Sequence, residues 1–432
     1  MNSETYKIEV YVKKIIRNII GTKNIHKLRT NINRNLRSLF KPNTSDGIND
    51  IYKTISENDA HVFFGYYDST PFNSNETKLL ANIAPFINKT PASNNYLKIG
   101  YYNLDDYQLK FQKVGTSYTW CWQQGCRLQW YPDSSHEIII YNNLVDGQYG
   151  SIVQEILTGK TMRKYPIPIY DVSRNGKWAL SLNFSRLQRL RPGYGYVNME
   201  DESQEESVPK HDGVWRVNLD TGKSELLLSL KEISDFMPRD LKGNDHYINH
   251  ISINPAGDRF MFFHLWECEG KRKSRLLTSS MEGTDLHVLN DEGHVSHYSW
   301  KTNRELLVFG SHRGSGTHYY LYRDQSDTKM IIGKGLLIED GHPSFSKNGS
   351  FILTDTYPDK YGDQHLVLFD VNDQKLYEVA NFFSPVKYRG EVRCDLHPRF
   401  SPSNQWVCVD SAMSGKREML IISLESLERY FL

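Results

Sequence analysis

Residues 342–355 read HPSFSKNGSFILTD, and residues 397–410 read HPRFSPSNQWVCVD. Each opens on His-Pro, passes through an aromatic residue, turns at a polar cluster, and closes in an apolar run. That texture is strand, tight turn, strand. The same cassette recurs as PFNSNETKLLANI at 71–83, QWYPDSSHEIIIY at 129–141 and DVSRNGKWALSL at 171–182. It occurs again as SINPAGDRFMFF at 252–263 and YSWKTNRELLVF at 298–309. The seven turns fall near residues 74, 132, 174, 255, 302, 347 and 402. Most steps are 40–60 residues, and the long step from 174 to 255 contains the polar insertion Asn198–Lys210.

Each copy is followed by one or two more strand-like runs, such as LVLFDVNDQKLYEV at 366–379. A repeat of this length with about four strands is a propeller blade. The chain therefore predicts an all-β, seven-bladed β-propeller over residues 58–432. A pair of β-sandwiches is the alternative. Ring closure is expected near Glu57–Phe64.

Aligning the copies by their turns exposes one column. The residue five places before the turn is His250, His297, His342 and His397 in the last four copies, and Arg127 in the second. Ser69 and Ile169 hold it in the first and third. With 15 His in 432 residues, chance does not readily give four in one column. This position starts the innermost strand of a blade, so equivalent side chains converge on the axis at one level. Four imidazoles there suit a metal site or a titrating catalytic floor. The alternative is that they satisfy backbone groups between blades.

Polar and aromatic clusters fall beside the same strand starts. They are Gly65-Tyr66-Tyr67-Asp68, Trp122-Gln123-Gln124-Gly125, and the Arg/Tyr run holding Arg186, Arg189, Arg191, Tyr194 and Tyr196, with Arg393 and Asp395 ahead of His397. Guanidinium groups pair bidentately with carboxylates, and tyrosine rings stack on sugars. From these clusters Tyr67, Asp68, Trp122, Gln124, Arg127, Arg186, Tyr196 and Arg393 are candidate substrate contacts. Asp355-Thr356-Tyr357 lies further along its strand and reads equally well as an outer turn. No Walker A, Rossmann glycine fingerprint, HExxH or GxSxG motif occurs.

Composition narrows the class. Hydrophobic residues make up 39% and aromatics 12%, which suits a packed core and excludes a disordered body. The five cysteines are odd in number and form no CxxC, so free thiols are expected. No apolar run approaches the roughly 20 residues of a membrane span, and no secretory signal is legible. A cytoplasmic protein is the expectation.

Charge is unevenly spread. Residues 1–41 carry ten Lys/Arg and two Asp/Glu, a net of +8, which leaves −7 for the rest of a chain whose total is +1. Ile and Leu recur at helical spacing through residues 6–40. Residues 1–45 thus predict a basic amphipathic helical arm. Either it lies on an anionic membrane surface, at the inner face of the membrane, or it packs on the body or a partner. Nucleic acid is not expected, because no basic patch continues into the body.

Segments such as GHPSFSKNGSFILTDTYPD and DLHPRFSPSNQWVCVDS look like the TolB-type propeller repeat. Their histidines resemble those of the oligogalacturonate lyase family. The resemblance covers residues 58–432 and is strongest over 245–412. It implies β-elimination of a uronate-containing oligosaccharide or polysaccharide, with a histidine base and a divalent metal, typically manganese. His250 is then similar to the base, and His297, His342 and His397 to the metal ligands. Arg189, Arg191 and Tyr194 would complete the catalytic set. Where the family has a glutamine ligand, this chain has Glu339 and Asp395. The rival reading is a non-catalytic propeller that binds glycan or protein partners at a membrane-associated glycan-synthesis complex. A hydrolase using Asp68 or Asp395 is a third.

Overall fold

A computed structural model describes residues 52–86, 89–132, 137–236 and 244–424. The basic arm predicted over residues 1–45 lies outside the described residues. Seven antiparallel four-stranded sheets form the body. In blades 1 to 6 the strands follow chain order from the axis outward. Blade 4, for example, runs Asn244–Ile253, Arg259–Cys268, Lys271–Ser280, His287–Asn290. Each repeated cassette is the hairpin of first and second strands. In blades 3, 4, 6 and 7 its turn holds a left-handed residue. Glycine fills that place in blades 3, 4 and 6 (Gly176, Gly257 and Gly349, φ from 68° to 75°), and Asn404 with φ 65° does so in blade 7.

The second and third strands are apolar on both faces because a sheet packs on each side. Phe260, Met261, Phe262 and Phe263 of blade 4 are all at most 1% exposed. Outermost strands are polar on one edge, as in Thr161–Tyr165, where four of five residues are exposed. The long third repeat holds two short helices, α1 (Phe184–Leu190) and α2 (Leu230–Asp235), the second closed by a Ser229/Glu232 capping box.

Closure involves the expected Glu57–Phe64 segment and, in addition, a strand upstream of it. The last sheet is built from Arg399–Phe400, Trp406–Ser411 and Glu418–Ser423, and its outermost strand is Tyr52–Ile55. Tyr52 pairs with Ile422 and Ile55 with Met419. The ring is therefore latched by residues upstream of both Glu57–Phe64 and the boundary at 58. His61–Phe63 instead forms the innermost strand of blade 1. It is tied to blade 7 by the Val62 amide on the Arg417 carbonyl at 2.9 Å. Asp410 of blade 7 accepts from the amides of Phe64 and Gly65 and pairs with Arg399 at 2.9 Å. All five cysteines are free.

Candidate active site

The four aligned histidines do converge. Ring centroids lie 6.3 Å apart for His250–His297, 4.0 Å for His297–His342 and 4.3 Å for His342–His397. None is more than 3% exposed. Tyr66 sits among them, stacked on His250 at 5.1 Å and 5.0 Å from His397. Three residues of the same column hold a left-handed backbone that side chains disfavour: Arg127 (φ 54°), His250 (φ 56°) and His397 (φ 45°). Strain of this kind persists where surrounding contacts enforce it.

The partners of each ring decide what it can do. His397 Nδ1 lies 2.7 Å from the Gly65 carbonyl, which only accepts, so Nδ1 carries the proton. His342 Nδ1 lies 2.8 Å from Asp355, which likewise holds that proton in place. In both rings Nε2 is left with a bare lone pair, buried and without a hydrogen-bond partner among the described residues. Asp395 completes a group whose donor atoms lie within 4.8 Å of one another. Two imidazoles oriented by acceptors on their Nδ1–H groups, plus a carboxylate, fit a divalent cation. Of the three expected metal ligands, His342 and His397 are in this group. His297 stands beside it, with Nδ1 on Asp340 at 2.9 Å.

His250 is held differently. Tyr66 Oη lies 3.4 Å from Nε2 and Tyr170 Oη 3.3 Å from Nδ1. Burial, then the positive charge of Arg191, pushes its pKa well below 6.5, so it is neutral at pH 7. Burial works against protonated His297 too, but Asp340 outweighs it and raises that pKa.

Above this floor stand Arg191, Tyr194 and Arg393. Arg191 packs on the Tyr194 ring at 4.3 Å, and Arg393 Nη2 donates to Tyr194 Oη at 3.3 Å. Burial opposes ionisation of the phenol, but Arg191 and Arg393 bring its pKa down to about 8. The Tyr194 ring meets His250 edge-on at 5.9 Å. Arg393 also grips Asp395 at 2.7 Å and covers Tyr357 at 5.1 Å.

Other expected contacts lie elsewhere. Arg186 is 1% exposed, and its guanidinium is spent on Asp201, Ser203 and the carbonyls of His246, Glu206 and Ser207. Arg189 pairs with Asp201 and Asp245. The short helix turns both arginines onto the polar insertion rather than onto the histidines. Tyr196 is fully buried, stacked on Phe184 at 4.3 Å with Asn142 on its hydroxyl. Trp122 packs in the core beside Phe63 and Trp120 and donates to the Lys89 carbonyl. Gln124 donates to Tyr170 Oη at 2.9 Å, one layer behind His250. Arg127 and Asp68 form a buried ion pair at 3.0 Å, and Tyr67 Oη donates to the Tyr298 carbonyl. This belt underlies the histidines.

Asp355, Asp340, Tyr170 and Tyr357 were not legible as site residues. Asp355 and Tyr357 stood in the TDTYPD segment but gave no signal separating strand end from outer turn.

No family model matches the chain, and no curated protein matches it. Among solved structures it is similar to an oligogalacturonate lyase in complex with manganese. The TM-score is 0.63 at 16% identity, over 86% of this chain and 92% of that one. An oligogalacturonate lyase from Vibrio parahaemolyticus aligns with TM-score 0.61 at 11% identity, over 88% and 95%. The chain is thus a seven-bladed β-propeller whose structural neighbours include oligogalacturonate lyases. At these identities the likeness establishes the fold.

Proposed function

We propose that this protein is a lyase that cleaves a uronate-containing oligosaccharide by β-elimination. The observation that carries the reading is the pair of bare Nε2 atoms on His342 and His397 beside Asp395, with His250 and Tyr194 on the same floor. A divalent cation held by His342, Asp395 and His397, manganese being the one found in a structural neighbour, would add positive charge for the substrate carboxylate. Arg191 and Arg393 face the same end and supply fixed charge for the enolate that forms when C5 loses its proton.

Neutral His250 takes the C5 proton on a ring nitrogen, displacing one tyrosine hydroxyl from it. The C–H electron pair becomes the C4–C5 double bond, and the C4–O bond breaks. Tyr194 gives its proton to the departing oxygen. The product is an unsaturated uronate that absorbs in the ultraviolet. Purified protein, supplied with manganese and a panel of oligouronates, should generate that absorbance. A flat trace with every oligouronate would sink the reading.

A further inference from the structure

The channel has a second end. Below the belt of Asp68, Arg127, Tyr67 and Tyr298 lies a cavity of about 540 Å³, walled by the innermost strands of blades 2 to 7 and by residues 67–74 of blade 1. That volume is typical of a small-ligand site. None of the four channel histidines lines it. In blades 2 to 7 it begins one or two residues further along the same strands, about 3–7 Å at 3.3 Å per residue, and in blade 1 it takes in Ser69 of the column itself.

Its chemistry differs from that of the histidine end. Three residues after the histidine column the repeats place an aromatic ring in five blades: Phe72, Trp130, Trp300, Phe345 and Phe400. All five line the cavity. The two indoles are fixed by neighbouring blades, Trp130 Nε1 donating to the Pro71 carbonyl at 2.8 Å and Trp300 Nε1 to the Ser252 carbonyl at 3.2 Å. All but Phe72 are only half-buried.

Between the rings stand hydroxyls and the carboxyl group of Asp171, with that of Asp68 at the floor. Ser344 Oγ is buried and has no hydrogen-bond partner among the described residues. Asp171 accepts one backbone amide on each oxygen, Val172 at 2.9 Å and Ile253 at 2.7 Å. Each oxygen keeps a further lone pair for a ligand. The charges nearest the floor cancel internally: Asp68 is bound to Arg127, and Arg399 to Asp410. Arg174 stands exposed at the rim.

We propose that this second mouth binds a neutral saccharide. A pyranose offers an apolar C–H face to an aromatic ring and hydroxyls at its edge to a carboxyl and a serine. An acidic sugar would meet Asp171, while of the two lining arginines Arg399 is already paired with Asp410 and only Arg174, at the rim, is left to answer it. The site stands apart from the lyase reading and does not depend on it.

Binding can be measured on the full chain by tryptophan fluorescence and saturation-transfer NMR. The probes are the α- and β-linked neutral glucose trisaccharides. At least one should bind in the millimolar range. Asp171→Asn and Trp300→Ala should each weaken it about tenfold, the effect of losing one hydrogen bond or one stacking face. Tyr194→Phe, at the opposite end, should leave it unchanged. Should Trp300→Ala not fold, Asp171→Asn decides, because it keeps the side-chain shape. The proposal is overturned if neither trisaccharide binds, if Asp171→Asn binds as well as the parent, or if Tyr194→Phe abolishes binding.

Discussion

Asp355 grips His342 twice: its Oδ1 accepts from the Nδ1–H at 2.8 Å and from the backbone amide at 2.7 Å. Its other oxygen accepts the His397 amide at 3.2 Å. One buried carboxylate thus fixes two neighbouring blades and aims His342 Nε2. Burial works against the charge, but His342 outweighs it and holds the Asp355 pKa below its usual range. Asp355→Ala should cost roughly 1–3 kcal/mol in urea unfolding, the scale of leaving a buried donor without its acceptor. Asp355→Asn should fold and weaken manganese binding by roughly 10–100-fold, read by calorimetry.

His250→Ala should lower the elimination rate by roughly 10²–10⁴-fold, the usual scale for a general base. Circular dichroism should show an unchanged sheet signal. An equal rate in the variant would remove His250 from the chemistry.

The pH profile follows from two groups. His250, pushed well below 6.5, is already neutral at pH 7 and imposes no limb above its ordinary value. Tyr194 must carry its proton to act as an acid, and its pKa is brought down to about 8. Activity should therefore hold from pH 6.5 to about 8 and fall above it. Tyr194→Phe should lower the rate and erase that alkaline limb.

The His297–Asp340 pair makes stability depend on pH. His297 is raised, so its contribution is complete below its unfolded value near 6.5 and is lost as pH rises through the folded value. Asp340 is lowered, so its contribution is present above an unfolded value near 3.9 and is lost as pH falls through the folded one. A double-mutant cycle of His297→Gln and Asp340→Asn should give its largest coupling between about pH 4 and 6.5 and less coupling at pH 9. Coupling that is flat with pH would contradict the pairing.

The latch strand is equally testable. Ile55 is 1% exposed and pairs with Met419 across the blade 7 edge. Ile55→Ala should cost roughly 2–4 kcal/mol. Ile55→Asp should open the ring, seen as a broadened unfolding transition.

Much of this architecture was legible in the repeat. A strand–turn–strand cassette in seven copies specifies seven blades, because each sheet can bury its faces only against a neighbour like itself. The register of the histidines followed from the same phase. Equivalent residues of innermost strands must meet at one level of the axis, which is why His250, His297, His342 and His397 came together. Arg191, Tyr194 and Arg393 were also named from their place beside strand starts.

Arg186 and Arg189 show the limit. They share a run with Arg191, yet α1 places them against Asp201 and Asp245, and nothing in their spacing tells which way a short helix will turn. Trp122 and Tyr196 look like sugar-stacking rings in sequence and are core residues in space. The sequence alone determined the blade number and the level of the histidines, since both depend only on periodicity. Tertiary structure decided that Tyr52–Ile55 closes the ring, that Asp355 and the Gly65 carbonyl set the tautomers of His342 and His397, and that Asp395 joins them. Those outcomes depend on contacts between distant parts of the chain, where residues up to 370 positions apart meet.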